Sequence, residues 1–178
     1  MKIRPCVLLP SLLLLSFAGF FCAQATRAAS QTQKDYLSGV EADKIREAET
    51  PNERIALFLT FADDRLKKLQ YELEHPSQTS HAEMINSLLN AYVGCVDDAA
   101  DLIQLGIEKQ QNIRKGIDLM ASRTKDFLVT LQKIPTDAPD AELYKENLDD
   151  AIEGTQDASK EAEAAKKNVA PPPVRRKK

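Results

Sequence analysis

Fifteen positions between Ile85 and Ile134 follow one unbroken alternation of four- and three-residue steps: Ile85, Leu89, Tyr92, Val96, Ala99, Ile103, Gly106, Gln110, Ile113, Ile117, Met120, Thr124, Phe127, Leu131 and Ile134. A repeat of this period lays one mostly apolar stripe along a helix and turns it toward a partner helix. Two further rows share the period. Ile55, Leu59, Ala62, Leu66, Leu69 and Leu73 form one, and Tyr144, Leu148, Ala151, Thr155, Ala158, Ala162 and Ala165 the other. The chain has no tryptophan, few glycines and no bounded run of alternating apolar and polar residues, so nothing reads as a strand. The pattern predicts an all-α fold, an elongated antiparallel helical bundle with long coiled-coil-like helices.

Helix punctuation divides the bundle. A first helix is expected over 36–49, with Leu37, Val40, Ile45 and Ala48 as its apolar face. Thr50-Pro51-Asn52-Glu53 then combines an N-cap, a proline at the first helical position and a capping-box glutamate, which starts a second helix. Pro76 stops it, and Ser80 with Glu83 reads as a capping box for the third. The stripe keeps its phase across Gly106 and no proline or polar loop marks a break, which favours a continuous or slightly kinked helix from Ile85 to Ile134, weakest at Gly106 and Gln110, over two antiparallel helices broken near Gly106. In such a helix Gly106→Ala would add stability. Pro135 ends the helix, and Thr136 to Pro139 turn into a last one. That helix is expected to dock over Tyr144 to Ile152 and to fray beyond Ala158, because alanines bury little area.

The start of the chain has a different character. Met1-Lys2-Ile3-Arg4, an apolar stretch from Val7 to Phe21 and Ala23-Gln24-Ala25 follow the order of a secretory signal peptide, with cleavage after Ala25. The apolar stretch contains Pro10 and is short of the about 20 residues that span a bilayer. Phe20 and Phe21 stand before Cys22 where a lipid-attachment site would carry a small residue. The expected organisation is a signal peptide over 1–25, a flexible lead-in over 26–35, a helical bundle over 36–167 and a proline-rich basic tail over 168–178. Cleavage leaves Cys95 as the sole cysteine, so no internal disulfide can staple the mature chain. Cys95 is expected in the core, with no histidine in the adjoining turns to activate it.

Charge is segregated. Residues 26–165 carry 27 acidic and 16 basic side chains, a net of −11, whereas 166–178 carry six basic and no acidic ones. Pro171 to Pro173 favour an extended, semi-rigid spacer ahead of the basic tip. Lys166, Lys167, Arg175, Arg176, Lys177 and Lys178 are thus the expected contacts to an anionic surface. Nucleic acid is not expected as a partner: the body is acidic and the tail has no aromatic residue for base stacking.

Signals for chemistry are sparse. Glu72 and His75 have the Glu-x-x-His spacing of carboxylate-bridged metal bundles, but such a centre needs two copies and further inward glutamates. His75 and His81 flank a short loop and could share an adventitious metal. Asp97, Asp98 and Asp101 read as a solvated acidic face. No catalytic triad, phosphate-cradling glycine loop or nucleotide fingerprint is present, so no catalytic or cofactor-binding residue is assigned and no cofactor is expected. The expected function is that of an exported, non-enzymatic helical protein, secreted or periplasmic, that binds a protein partner or an anionic envelope surface, with self-association through the seams left open. The alternative is a metal-binding bundle that acts as an enzyme or carrier.

Overall fold

The chain divides into two units, Met1–Thr32 and Gln33–Lys178. The computed structural model of the protein describes residues 36–169, all in the second unit. The expected signal peptide and cleavage site, the expected lead-in over 26–35 and the terminal residues 170–178 lie outside the described residues. Those described form five α-helices and no strand: α1 (Gly39–Glu47), α2 (Pro51–Glu74), α3 (His81–Glu108), α4 (Arg114–Leu131) and α5 (Lys145–Asn168), with a 3-10 turn at Ala141–Leu143. The all-α bundle read from the 4-3 rows is therefore present.

Local chemistry explains most of the boundaries. Thr50 Oγ1 accepts from the Glu53 backbone N–H and the Glu53 carboxylate accepts from that of Thr50, so α2 begins with the expected capping box. A second box, unforeseen in the sequence, starts α1: Ser38 and Glu41 exchange the same pair of bonds. α1 is consequently shorter than expected, and Val40 is exposed while Leu37, ahead of the helix, is buried. At α3 the expected box is absent. Ser80 makes no side-chain cap bond, because its backbone leaves the extended region that aims an N-cap hydroxyl at the first turn.

The expectation of one long helix is corrected at Glu108. Gln111 N–H bonds the Gly106 carbonyl at 2.8 Å and Gln110 N–H bonds that of Ile107 at 3.0 Å, the paired bonds of a Schellman stop. Gln110 occupies the left-handed position at φ 54° that glycine usually fills. The chain then reverses into α4, and Ile113 packs back onto Gly106, where a Cβ would lie 2.6 Å from Ile113 Cγ2. Of the fifteen stripe residues, Gln110 alone is exposed.

Side chains across the elements define the topology. α2 and α3 form one antiparallel hairpin, α4 and α5 a second. Asn52, at the start of α2, bonds the Asn112 carbonyl and the Gly116 N–H at the start of α4, so these two helices run parallel. Asn86 and Asn147 meet near the starts of α3 and α5 at 2.6 Å, and Tyr92 and Thr155 further along them, so that pair is parallel too. Neighbours around the bundle are therefore α2, α3, α5 and α4, and the link between α3 and α4 crosses the diagonal.

The core joins these four helices, with Tyr92, Phe127 and Tyr144 among its largest buried side chains. Phe127 meets Tyr92 edge-on at 5.6 Å between ring centres. The Tyr92 hydroxyl lies 2.6 Å from Thr155 Oγ1, which itself donates to the Ala151 carbonyl. Tyr92→Phe removes one bond from this buried pair while Thr155 keeps its backbone partner. Chemical denaturation should show a loss of about 1 kcal/mol with an unchanged m-value.

α5 also differs from expectation. It does not fray after Ala158: Ala158, Ala162 and Ala165 are buried, and the helix continues to Asn168. Arg114 Nη1 on α4 supplies the missing end cap, donating to the carbonyls of Lys166 and Val169 at 2.8 Å each.

Candidate functional site

Three polar clusters and two grooves stand out from the core. At the end of the bundle where α2 stops and α3 starts, Glu72 is buried and accepts from the Ser77 backbone N–H at 2.8 Å and from its hydroxyl at 2.9 Å. His81 Nδ1 lies 3.0 Å from the same carboxylate, and His81 Nε2 lies 3.7 Å from Asp140, in the connection before α5. The bond from the Ser77 backbone, followed by those of His81 and the Ser77 hydroxyl, holds the Glu72 carboxyl below the usual range. This cluster fastens the α2–α3 loop to the segment leading into α5.

Its composition is not that of the Glu-x-x-His spacing, which is incomplete as a metal motif in the sequence itself. Glu72 pairs with His81 and not with His75. His75 instead stacks on Tyr71, with ring centres 4.4 Å apart, and its Nδ1 lies 3.2 Å from the Tyr71 carbonyl. Among the described residues no three histidine, cysteine or acidic side chains are grouped to hold a metal ion. The Ser77 hydroxyl is committed to Glu72 rather than to the imidazole, so the cluster lacks the serine–histidine bond of an activated nucleophile.

The second cluster holds α1 against the first hairpin. Arg65, on α2, is 7 % exposed and ion-pairs with Glu41 through both carboxylate oxygens, the second at 2.7 Å. Its guanidinium also donates to the Tyr36 carbonyl at 3.0 Å, and the Tyr36 hydroxyl donates to Asp98 on α3. The bond from Arg65 leads the effects that pull the Glu41 carboxyl down to about 2, against an opposing effect of burial. Asp98 shifts the other way: burial, reinforced by the nearby charge of Asp101, pushes it up to about 6. The solvated acidic face expected at Asp97, Asp98 and Asp101 is thus only partly present, since Asp98 is buried under Tyr36. Cys95 is buried as expected, in the same helix turn. A buried Arg–Glu pair has no periodic signature, and the Ser38–Glu41 spacing was the sole hint that this segment folds back.

The third cluster surrounds the end of α5. Lys166 Nζ lies 3.2 Å from Asp118 Oδ1 on α4, and Asp118 also meets Arg114 Nε at 3.4 Å. Lys167 points to solvent. Of the six basic residues expected to meet an anionic surface, Lys166 is therefore drawn to the bundle and Lys167 is exposed, while Arg175, Arg176, Lys177 and Lys178 lie outside the described residues.

One groove, of about 520 Å³, separates α3 from α5 and has a floor of small and apolar residues with Asp101 and Glu161 among its walls. The other, of about 370 Å³, lies between α2 and α3 beside Tyr71 and Met84. Among the described residues no helix is long and apolar enough to cross a membrane. No protein-family model matches the chain, and no match is found among curated proteins or solved structures.

Proposed function

We propose that the protein is an exported, non-enzymatic helical module that acts by binding, recruited to an anionic envelope surface through its basic terminus. The clamped end of α5 carries this reading. Arg114 caps the last carbonyls and Asp118 holds Lys166, so the helix delivers the terminal segment from a fixed point on the bundle. An acidic body behind a cationic tip favours one orientation at an anionic surface.

The magnitude suits reversible recruitment. Each basic residue near an anionic membrane contributes about 1 kcal/mol at most, so the four terminal charges attract without anchoring. Mature protein and a form truncated after Ala170 should be compared by sedimentation with anionic vesicles at low and high salt. The full chain is expected to bind at low salt and to release at high salt, with little binding by the truncated form. Equal binding by both would remove the tail from the mechanism.

A further inference from the structure

The outer groove between α2 and α3 is filled over only part of its length. In the filled part the occupant is the chain's own segment ahead of α2: the Tyr36 ring sits where a Cβ on Gly94 would come within 2.8 Å of it, and Glu41 lies on Arg65. That part of the groove thus receives one aromatic ring and one carboxylate five residues away. Beyond it, one to two turns along α2, the groove is open and lined by Lys67, Lys68, Tyr71, Glu72, Met84 and Leu88. Arg65 and Glu72, like Leu88 and Cys95, are seven residues apart, so the filled and open parts share one face of the hairpin. Tyr71 is 64 % exposed and Met84 42 % exposed there. Lys67 bonds Asp63 at 2.7 Å, which leaves Lys68 as the amine facing an occupant.

We infer that this open stretch docks an acidic amphipathic helix of a protein partner, with an apolar side chain over Met84 and Leu88 and a carboxylate on Lys68. The inference rests on the reading that this protein acts by binding, and it names the partner's chemistry. The argument is continuity and charge: the adjoining part of the same groove already selects an apolar group and a carboxylate, and the open part offers an apolar floor beside Lys68, the Glu72 carboxylate there being taken up by Ser77 and His81. The chain's own lead-in, Thr26 to Asp35, has no aromatic or long aliphatic side chain to cover that floor.

The test is methyl NMR on the full mature chain. The probes are a synthetic amphipathic helix with leucines at i and i+4 among glutamates, a counterpart with lysine at every glutamate, and vesicles of anionic lipid. The acidic peptide should shift the Met84 and Leu88 methyls, and Lys68→Glu and Met84→Ser should each weaken it about fivefold or more. Spectra of the variants without peptide confirm that the fold is kept. Equal binding of both peptides, no shift at Met84 and Leu88 at millimolar peptide, or shifts there with vesicles alone would overturn the inference. Repeating the titration on the form truncated after Ala170 separates this outcome from that of the tail, since groove binding should survive the truncation.

Discussion

Glu41→Ala is expected to lower stability by roughly 2 to 3 kcal/mol, an effect far larger than that of an ordinary ion pair on a short helix. Arg65 is the reason. Its guanidinium is buried, and removing one partner of a buried pair leaves the other desolvated and uncompensated. The cost is capped by the docking energy of α1, since this helix can lift and admit water to Arg65. Arg65→Met with Glu41→Leu should recover much of the loss, because an apolar pair of similar volume needs no solvation. Denaturant titration of the two single variants and the double one measures this non-additivity. The pH dependence has a definite sign. Glu41 has a folded value of about 2 against an ordinary 4.5, so its contribution is complete above the unfolded value and disappears as pH falls through 4.5 toward 2. Glu41→Gln should flatten the stability profile in that window and leave it unchanged in shape above pH 6.

Gly106→Ala is the second large effect, and its sign opposes simple helix propensity. In an open helix interior the substitution would gain about 1 kcal/mol. Here the new methyl would lie 2.6 Å from Ile113 Cγ2 and 2.9 Å from Cδ1. Ile113 is fully buried and branched at Cβ, so it cannot swing clear without disturbing the start of α4. Overpacking of this kind costs about 1 to 3 kcal/mol, which outweighs the propensity gain. A net loss above about 1 kcal/mol is expected, and combining it with Ile113→Ala should cost less than the two single losses added together, because the smaller residue removes the clash. A gain in stability would show that the turn after Glu108 is not formed in solution.

The same contact explains why the sequence misled at this point. Seven residues separate Gly106 from Ile113, and both face one core. The reversal between them therefore consumes one heptad and returns the stripe in phase, as a continuous helix would. The breaking residue is Gln110, which adopts a conformation that its side chain does not advertise. Elsewhere the periodicity was legible because burial alone enforces it: Ile55, Leu59, Ala62, Leu66 and Leu69 are all interior. Tertiary polar contacts were not legible. Arg65 meets Glu41 across 24 residues and Asn52 meets Gly116 across 64, and no local spacing encodes either. The alanines of α5 were undervalued for the same reason, since the Arg114 cap comes from another helix.

The diagonal link has a consequence for the order in which the bundle forms and opens. Each hairpin pairs helices consecutive in the chain, across 75–80 and 132–144, so its contacts are more local than those between hairpins and each can form early. Joining the hairpins is a separate event, since α3 and α4 barely touch and the parallel pairs α2 with α4 and α3 with α5 bring together residues some 60 positions apart, as in Tyr92 with Thr155. The seam between hairpins should then be the first to yield. Amide hydrogens within each hairpin would exchange as two cooperative units, and the 109–113 link would act as the joint about which they part.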